Sequence, residues 1–180
     1  MQVRPAVLSD LDTLVDYWVD LAAGQKAYDS HLEAEANRTP IRESMAQYIT
    51  AGGVFVAVAD GGERTDSSQA SSDVRSDDGP SDILGFVMFG VESGQYEQDV
   101  RCGRVHNLFV LPERRGSGIG SELLSAAEKQ LWANGVESIS LDVLAANEDA
   151  HRFYRRHGYD AHRIELEKST RNDTHSKEDR

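Results

Sequence analysis

The stretch between residues 101 and 134 constrains the fold more than any other part of the sequence. A β-forming apolar run to Val110 is followed by three glycines at alternate positions, Gly116, Gly118 and Gly120. Beyond the turn, apolar residues recur at the three- and four-residue spacing of an amphipathic helix, at Ile119, Leu123, Leu124, Ala127 and Leu131. The pattern therefore predicts a strand over 101–111, a glycine-rich turn and a helix over 118–134.

The rest of the chain adds further strands and helices to this unit. Short β-forming runs predict strands over 1–5, 54–59, 83–91, 138–143 and 159–166, and helical periodicity predicts helices over 11–23, 40–50 and 147–156. The resulting order is β-α-α-β-β-β-α-β-α-β. This order favours an α/β (α+β) fold, in which one mixed sheet carries helices on its faces.

Two segments are predicted to lie outside the folded domain, which we place at residues 1–166. Residues 60–82 are dominated by Ser, Asp and Gly, and residues 167–180 contain no aliphatic or aromatic side chain. Neither segment buries enough apolar surface to offset the entropy of ordering its chain. We expect a disordered acidic insertion between two antiparallel strands and a disordered polar tail.

Bulk features bound the compartment of the protein. No apolar run approaches the roughly 20 residues of a membrane-spanning helix, and the first residues lack the basic and apolar regions of a signal peptide. The single cysteine, Cys102, excludes an internal disulfide and is typical of a reducing compartment. We expect a cytoplasmic protein that does not associate with membranes.

The chain is strongly acidic. Its 31 Asp and Glu residues outnumber 19 Lys and Arg residues, which gives a net charge of −12. Such a surface repels nucleic acids and anionic membranes. An acidic face for cationic substrates is one interpretation. Because the excess is spread along the whole chain, we favour adaptation to a salty, halophilic cytoplasm.

The glycine-rich turn is suited to a phosphate group, because glycines expose backbone N–H groups where a helix dipole is positive. A Walker loop is excluded, since no Lys closes the turn. The dinucleotide fingerprint fits nearly, with Asp142 about 20 residues on as that fold requires. However, its third glycine is replaced by Ser121, and too few elements follow for a doubly wound sheet. A turn without a ligand is the remaining alternative.

Two spaced motifs resemble those of the GNAT superfamily of N-acetyltransferases. The first is Arg115-Gly116-Ser117-Gly118-Ile119-Gly120, preceded by Val110-Leu111-Pro112, and the second runs from Asn147 through Phe153-Tyr154 to Gly158-Tyr159. The resemblance covers residues 1–166. It implies one domain with a splayed pair of parallel strands, ending at Val110 and Val143, around acetyl-CoA. A homodimer is an expectation at the level of the family.

The resemblance also assigns roles to matching positions. Backbone groups of Leu108, Phe109 and Val110 are expected to bind the acetyl and pantetheine part of acetyl-CoA. Asn147 is expected to reach the pantetheine arm, although an ordinary helix N-cap is the alternative. The pyrophosphate is expected to bind at the glycine-rich turn, with the residues Arg115, Gly116, Ser117, Gly118, Ile119, Gly120 and Ser121.

The reaction requires proton transfers. A protonated amine has to lose a proton before it attacks the thioester, and the leaving thiolate benefits from a proton donor. Tyr154, the motif tyrosine, is the expected general acid, with a packed aromatic side chain as the alternative. Asp142, His106 and water remain open as the base. No metal is expected, because His151, His157 and His162 lack the one-turn spacing of a helical site.

Three functions compete at this point. The first is acetyl transfer to a primary amine of a small molecule or of a peptide or protein N-terminus. The second is a non-catalytic module that binds or senses acyl-CoA, and the third is a nicotinamide-dependent dehydrogenase. The presence of both Tyr154 and Asn147 favours the enzyme of the first kind. The identity of the acceptor does not follow from the sequence.

Overall fold

A five-stranded sheet forms the centre of the fold in the computed structural model, which describes residues 1–59, 83–92 and 99–169. The strands are β1 Gln2–Pro5, β2 Val54–Val58, β3 Ile83–Val91, β4 Cys102–Val110 and β5 Ser138–Ser140, and they lie in this order across the sheet. The first four pair antiparallel, and β5 runs parallel to β4. The predicted mixed sheet and its antiparallel β2–β3 pairing are confirmed. The predicted insertion, 60–82, lies outside the described residues, as does the tail from 170 onward.

Two helices cover one face of the sheet. These are α1 Leu11–Gln25 and α2 Arg38–Thr50. Helix α1 has an apolar stripe of six residues at helical spacing, and all six are buried: Leu11, Leu14, Val15, Trp18, Val19 and Ala22. They share one hydrophobic core with α2 and with alternate strand residues, among them Val54, Val56, Phe86, Met88 and Phe109. The alternation follows from the two-residue period of strands, which sends the intervening side chains to the opposite face.

A third helix, α3 Ile119–Ala133, provides a second packing layer. Its predicted stripe, Ile119, Leu123, Leu124, Ala127 and Leu131, is buried in full. The helix packs closely on β4, since a Cβ at Gly103 would lie 3.0 Å from side-chain atoms of both Leu131 and Val136. The prediction of helices on both faces of the sheet is therefore confirmed.

The connection between β1 and α1 is held by a buried carboxylate. Asp10 is 9% exposed. Its two oxygens accept hydrogen bonds from both terminal nitrogens of Arg4, at 2.7 and 3.0 Å, and from the backbone N–H of Val7 at 2.9 Å. Three donors thus compensate for the loss of water around the buried charge.

Strand β4 contains a bulge at His106. Met88 of β3 faces Asn107 and the next residue, Phe89, faces Val105, so His106 has no opposite residue in the ladder. A bulge of this kind bends the strand and redirects the side chain at the extra position. His106 is therefore presented on the same face as its strand neighbour Asn107, the face that α1 and α2 cover.

The predicted strand over 159–166 is wrong. The structure has no strand in this segment, and the side chains of Ile164 and Leu166 are 82% and 89% exposed. The alternation breaks in the middle, because Tyr159 and Ala161 have one phase and Ile164 and Leu166 the other. A strand here would direct apolar side chains to both faces, so no single face could be buried.

The chain divides into two compact units, Met1–Asn147 and Glu148–Arg180. The second unit begins with α4 Glu148–Arg156, close to the predicted helix 147–156. The strand that was predicted to reach Val143 ends at Ser140, so the following residues, 141–147, form a connection without regular structure.

Candidate active site

The glycine-rich turn begins where β4 ends. One short 3₁₀ turn, Pro112–Arg114, reverses the chain, and Gly116 and Gly118 then adopt φ angles of 76° and 90°. These values lie in the left-handed region, where a side chain beyond glycine is strained. The alternate glycines that the sequence shows at 116 and 118 are therefore required by the path of the backbone.

Helix α3 begins without a side-chain cap. Gly118 occupies the N-cap position, and its carbonyl accepts the helical hydrogen bond from the N–H of Glu122 at 3.1 Å. The N–H groups of the first turn precede this bond, so no carbonyl of the helix itself accepts them. No heavy atom lies within 4 Å of a Cβ placed at Gly116 or Gly118, apart from chain neighbours. The positive end of the helix is thus open to an anion.

Two side chains brace the turn. The Nε of Arg115 donates to the carbonyl of Val110 at 3.1 Å, which fastens the guanidinium at the end of β4. The hydroxyl of Ser117 donates to the carbonyl of Arg114 at 2.6 Å. Arg114 and Arg115 are both exposed, so the turn carries two positive charges on an acidic protein. This combination fits the pyrophosphate of a cofactor such as coenzyme A.

Next to the turn, the edge of β4 is open. The parallel pairing with β5 involves only Cys102, Gly103 and Arg104 of β4 and ends at Ser140 of β5. Beyond this point Leu108, Phe109 and Val110 pair with β3. On their other side no strand pairs with them in the described part of the chain. The backbone of the predicted acyl-binding segment therefore borders the opening between β4 and β5.

His106 forms a pair with Tyr48 of α2. The Tyr48 hydroxyl lies 3.0 Å from Nε2 of His106, and the two rings meet edge to face with centroids 5.0 Å apart. Burial lowers the pKa of His106 below its ordinary value, and the positive charge of Arg104 lowers it further. Opposing, smaller effects on this pKa come from Glu92 and Asp142. The imidazole is therefore neutral at pH 7 and has a lone pair for a proton.

Asp142 has a different environment. Its side chain is 87% exposed and forms an ion pair with Arg104. Arg104 also donates to Glu92 at 2.9 Å, and these contacts raise the pKa of the guanidinium, the hydrogen bond to Glu92 contributing most. Arg104, Glu92 and Asp142 thus form a charged cluster, the Arg104 cluster. The sequence did not indicate it, because the three residues belong to separate parts of the chain. The cluster lies on the same side of the site as His106, whose pKa its charges affect.

The remaining predicted residues lie at α4. Asn147 directly precedes the helix, and its backbone N–H donates to the carbonyl of Leu144 at 2.9 Å. Tyr154 packs edge to face with Phe153 and Tyr159, at centroid distances of 5.1 and 5.8 Å. Burial raises the pKa of Tyr154 to about 12. Its phenol is therefore protonated at neutral pH.

Within ranges 1–59, 83–92 and 99–169, no three His, Cys, Asp or Glu side chains are close enough to hold a metal ion together. No helix in those ranges is long and apolar enough to cross a membrane.

Comparison with known proteins agrees with the geometry of the turn and the strand edge. The sequence matches the Acetyltransferase (GNAT) family over residues 30–159. The chain therefore belongs to the GNAT family of acetyltransferases, and the resemblance noted on the two motifs is confirmed.

Individual relatives are similar over different lengths. An aminoalkylphosphonate N-acetyltransferase from Salmonella typhimurium is 46% identical over 57 residues, which are 32% of this chain and 37% of that protein. The match thus spans well under half of that relative. An uncharacterized N-acetyltransferase from Archaeoglobus fulgidus is 27% identical over 156 residues, covering 86% of this chain and 89% of the relative.

Solved structures share the fold at low sequence identity. A GCN5-related N-acetyltransferase from Ralstonia eutropha JMP134 superimposes with a TM-score of 0.66 and 22% identity, covering 93% of this chain and 97% of its own. A tetramutant of the BH1408 protein from Bacillus halodurans gives a TM-score of 0.67 at 19% identity, with 94% and 99% coverage. These matches support the fold assignment.

Proposed function

We propose that this protein transfers the acetyl group of acetyl-CoA to a primary amine of a small molecule or of a peptide or protein N-terminus. The observation that carries the proposal is the open, uncapped start of α3. Gly116 and Gly118 expose its positive end, and Arg115 holds a further positive charge beside it. A pyrophosphate fits this cradle, and a side chain beyond glycine would both strain and obstruct it.

The open edge of β4 supports the orientation of the thioester. The backbone of Leu108, Phe109 and Val110, on the side that β5 leaves open, would hold a pantetheine arm by hydrogen bonds. Acetyl-CoA supplies the thioester that the amine attacks. The protein supplies positioning at this edge, and its side chains supply the two proton transfers that the reaction needs.

We assign the base role to His106 in preference to Asp142. His106 is half-buried and neutral, since burial keeps its pKa below the ordinary value. The carboxylate of Asp142 is mostly exposed and is engaged by Arg104, so it is a weaker candidate. Tyr154 is the general acid in this scheme. The raised pKa of its phenol, about 12, keeps the proton in place until negative charge develops on the leaving sulfur.

The acceptor class is the open part of the proposal. The name of one relative includes aminoalkylphosphonates, so these compounds begin the panel of candidate amines, followed by polyamines, aminoglycosides and short peptides. The net charge of −12 favours cationic acceptors over anionic ones at low salt. Cationic and phosphonate-bearing amines are therefore compared at low and at high salt. This comparison separates long-range attraction by the acidic surface, which salt screens, from recognition at the opening between β4 and β5.

The test is release of free thiol from acetyl-CoA with each amine in turn. We expect turnover with at least one amine and a loss of about 100-fold in kcat for Tyr154→Phe, the lower end of the range for general acid catalysis. Tyr28→Phe, which removes a phenol hydroxyl far along the sequence from both motifs, serves as the control. Tight binding of acetyl-CoA without turnover for any amine would instead identify a non-catalytic acyl-CoA-binding module.

A further inference from the structure

The contact between Tyr48 and His106 joins residues that lie far apart in the sequence. Tyr48 is in the last turns of α2 and His106 is at the bulge of β4, yet the phenol oxygen and Nε2 are 3.0 Å apart. No hydrogen bond is found for Nδ1 of His106 within the part of the chain that the structure describes. One nitrogen of the ring is thus fixed by α2, and the other is available.

Two glycines make room for this pair. A Cβ at Gly90 would lie 3.0 Å from Cε1 of Tyr48 and 3.8 Å from Nε2 of His106, and a Cβ at Gly53 would lie 3.1 Å from Cδ1 of Tyr48. Both glycines have φ outside the left-handed region, so the backbone conformation does not require glycine there. Close packing of the tyrosine ring accounts for Gly90, and at Gly53 a close approach to the carbonyl of Phe89 adds a second reason.

We propose that Tyr48 is a positioning residue for the acetyl transfer: its phenol oxygen accepts a hydrogen bond from Nε2–H of His106, which leaves the lone pair on Nδ1 to take the proton of the amine. This inference rests on the proposed function. The ammonium proton passes to Nδ1, and the freed lone pair forms the bond from nitrogen to the carbonyl carbon. The C–S bond then breaks, its electron pair goes to sulfur, and Tyr154 protonates the sulfur. The second amine proton goes to solvent, Nδ1 of His106 then releases its proton to solvent as well, and Tyr154 is reprotonated from solvent.

The direction of the hydrogen bond decides whether His106 is able to act. A neutral imidazole carries one proton and one lone pair. If the phenol donated to Nε2, the lone pair would be occupied and Nδ1 would carry the hydrogen. With Nε2–H as the donor, the bond to Tyr48 becomes charge-assisted once Nδ1 is protonated, so it stabilises the imidazolium that the reaction forms.

The charged groups around the imidazole set the background for a titration. Arg104 on β4 lowers the pKa of His106, whereas Glu92 after β3 and Asp142 after β5 raise it, and Tyr48 faces it from α2. None of these charges changes in a Tyr48→Phe variant, which keeps the packed ring and removes only the hydroxyl. A change in the titration of His106 therefore reports on the hydrogen bond.

The experiment combines ¹⁵N NMR of the histidine side chains with kinetics. In the wild-type protein we expect the Nε2-protonated tautomer of His106. In Tyr48→Phe we expect its pKa to fall further, because the imidazolium loses an acceptor. The acid limb of the pH profile of kcat/KM shifts to lower pH together with this pKa. We expect kcat to fall on the order of tenfold, which is less than the full effect of removing a general base. The KM for acetyl-CoA stays unchanged. Gly90→Ala, which displaces the tyrosine ring, is expected to shift the pKa in the same direction.

Tyr17→Phe is the matched control. It removes a phenol hydroxyl that donates to the carbonyl of Ile83 at 2.7 Å, so it loses one hydrogen bond but leaves the NMR signals of His106 unchanged. A raised or unaltered pKa of His106 in Tyr48→Phe would overturn the inference. Full activity of His106→Gln with normal acetyl-CoA binding would overturn it as well, while leaving the proposed acetyl transfer intact. Failure of folded wild-type protein to bind acetyl-CoA would instead remove the proposed function.

Discussion

Substitution of Gly118 by Glu tests the cofactor cradle directly. Gly118 is the N-cap of α3, with φ of 90° and no atom within 4 Å of its Cβ position. The Cβ of a glutamate there meets no steric obstacle beyond its chain neighbours. It places a carboxylate at the positive end of the helix, where the proposal expects a pyrophosphate.

The structure allows the effects on stability and on binding to be separated. The left-handed backbone costs a non-glycine residue about 1–2 kcal/mol, and a carboxylate at a helix N-terminus recovers about 0.3–1 kcal/mol. The net loss of folding stability is therefore about 1 kcal/mol. Repulsion between the carboxylate and one phosphate charge at about 4 Å amounts to roughly 1 to 4 kcal/mol, depending on the local dielectric. Binding should weaken by between about fivefold and several hundredfold.

Calorimetric titration with acetyl-CoA at about 0.1 M salt, where a Debye length of about 10 Å leaves a 4 Å contact largely unscreened, measures this change. Gly52→Glu is the control, because Gly52 follows α2 with φ of 75° and open space around its Cβ position. It has the same backbone strain and added charge, away from the turn. The reasoning is refuted if Gly118→Glu, shown to be folded by circular dichroism, binds acetyl-CoA as tightly as the wild type, or if Gly52→Glu weakens binding equally.

Further predictions concern stability. Burial alone would raise the pKa of Asp10, but the hydrogen bonds from Arg4 and the Val7 N–H lower it overall. Its contribution is therefore present above the ordinary carboxyl pKa and is lost as the pH falls through the lower folded value. In Asp10→Asn, the midpoint of urea denaturation should therefore fall less steeply as the pH is lowered, and a pH dependence equal to that of the wild type would contradict this. Leu131→Ala, at a side chain with 0% exposure, should lose about 2–5 kcal/mol of unfolding free energy. Leu166→Ala, 89% exposed, should stay within about 0.5 kcal/mol; equal losses in urea denaturation would refute the burial assignment.

The sequence predicted those parts of the fold that depend on local periodicity. The stripes of α1 and α3 follow a helical repeat over four turns, so each buried residue supports the assignment of the others. Strand β3 was predicted with its observed bounds, Ile83–Val91, because its apolar run is long and is bounded by polar segments. In the glycine-rich turn, the sequence indicated exposed backbone N–H groups at a helix start, whereas the left-handed conformation of Gly116 and Gly118 is known only from the structure.

The sequence did not predict features that depend on contacts between distant residues. The bulge at His106 arises from the register of β4 against β3, and nothing in the local sequence marks it. The partner of His106, Tyr48, lies in α2, and the strands β2 and β3 separate it from β4 along the chain. The assignment of residues 159–166 as a strand gave weight to β-forming residues although their alternation changes phase. Where only a few residues define a pattern, one phase error is enough to change the prediction.

The short pairing of β5 has a consequence for local unfolding. Three residue pairs join β5 to β4, whereas seven join β3 to β4. Elements with few backbone hydrogen bonds open at a lower free energy than the centre of a sheet, without global unfolding. Amide hydrogen exchange should therefore be faster in Ser138–Ser140 than in the middle of β3. The side of the opening that β5 provides is therefore the part of the sheet that opens at the lowest free energy, while β1 to β4 remain paired.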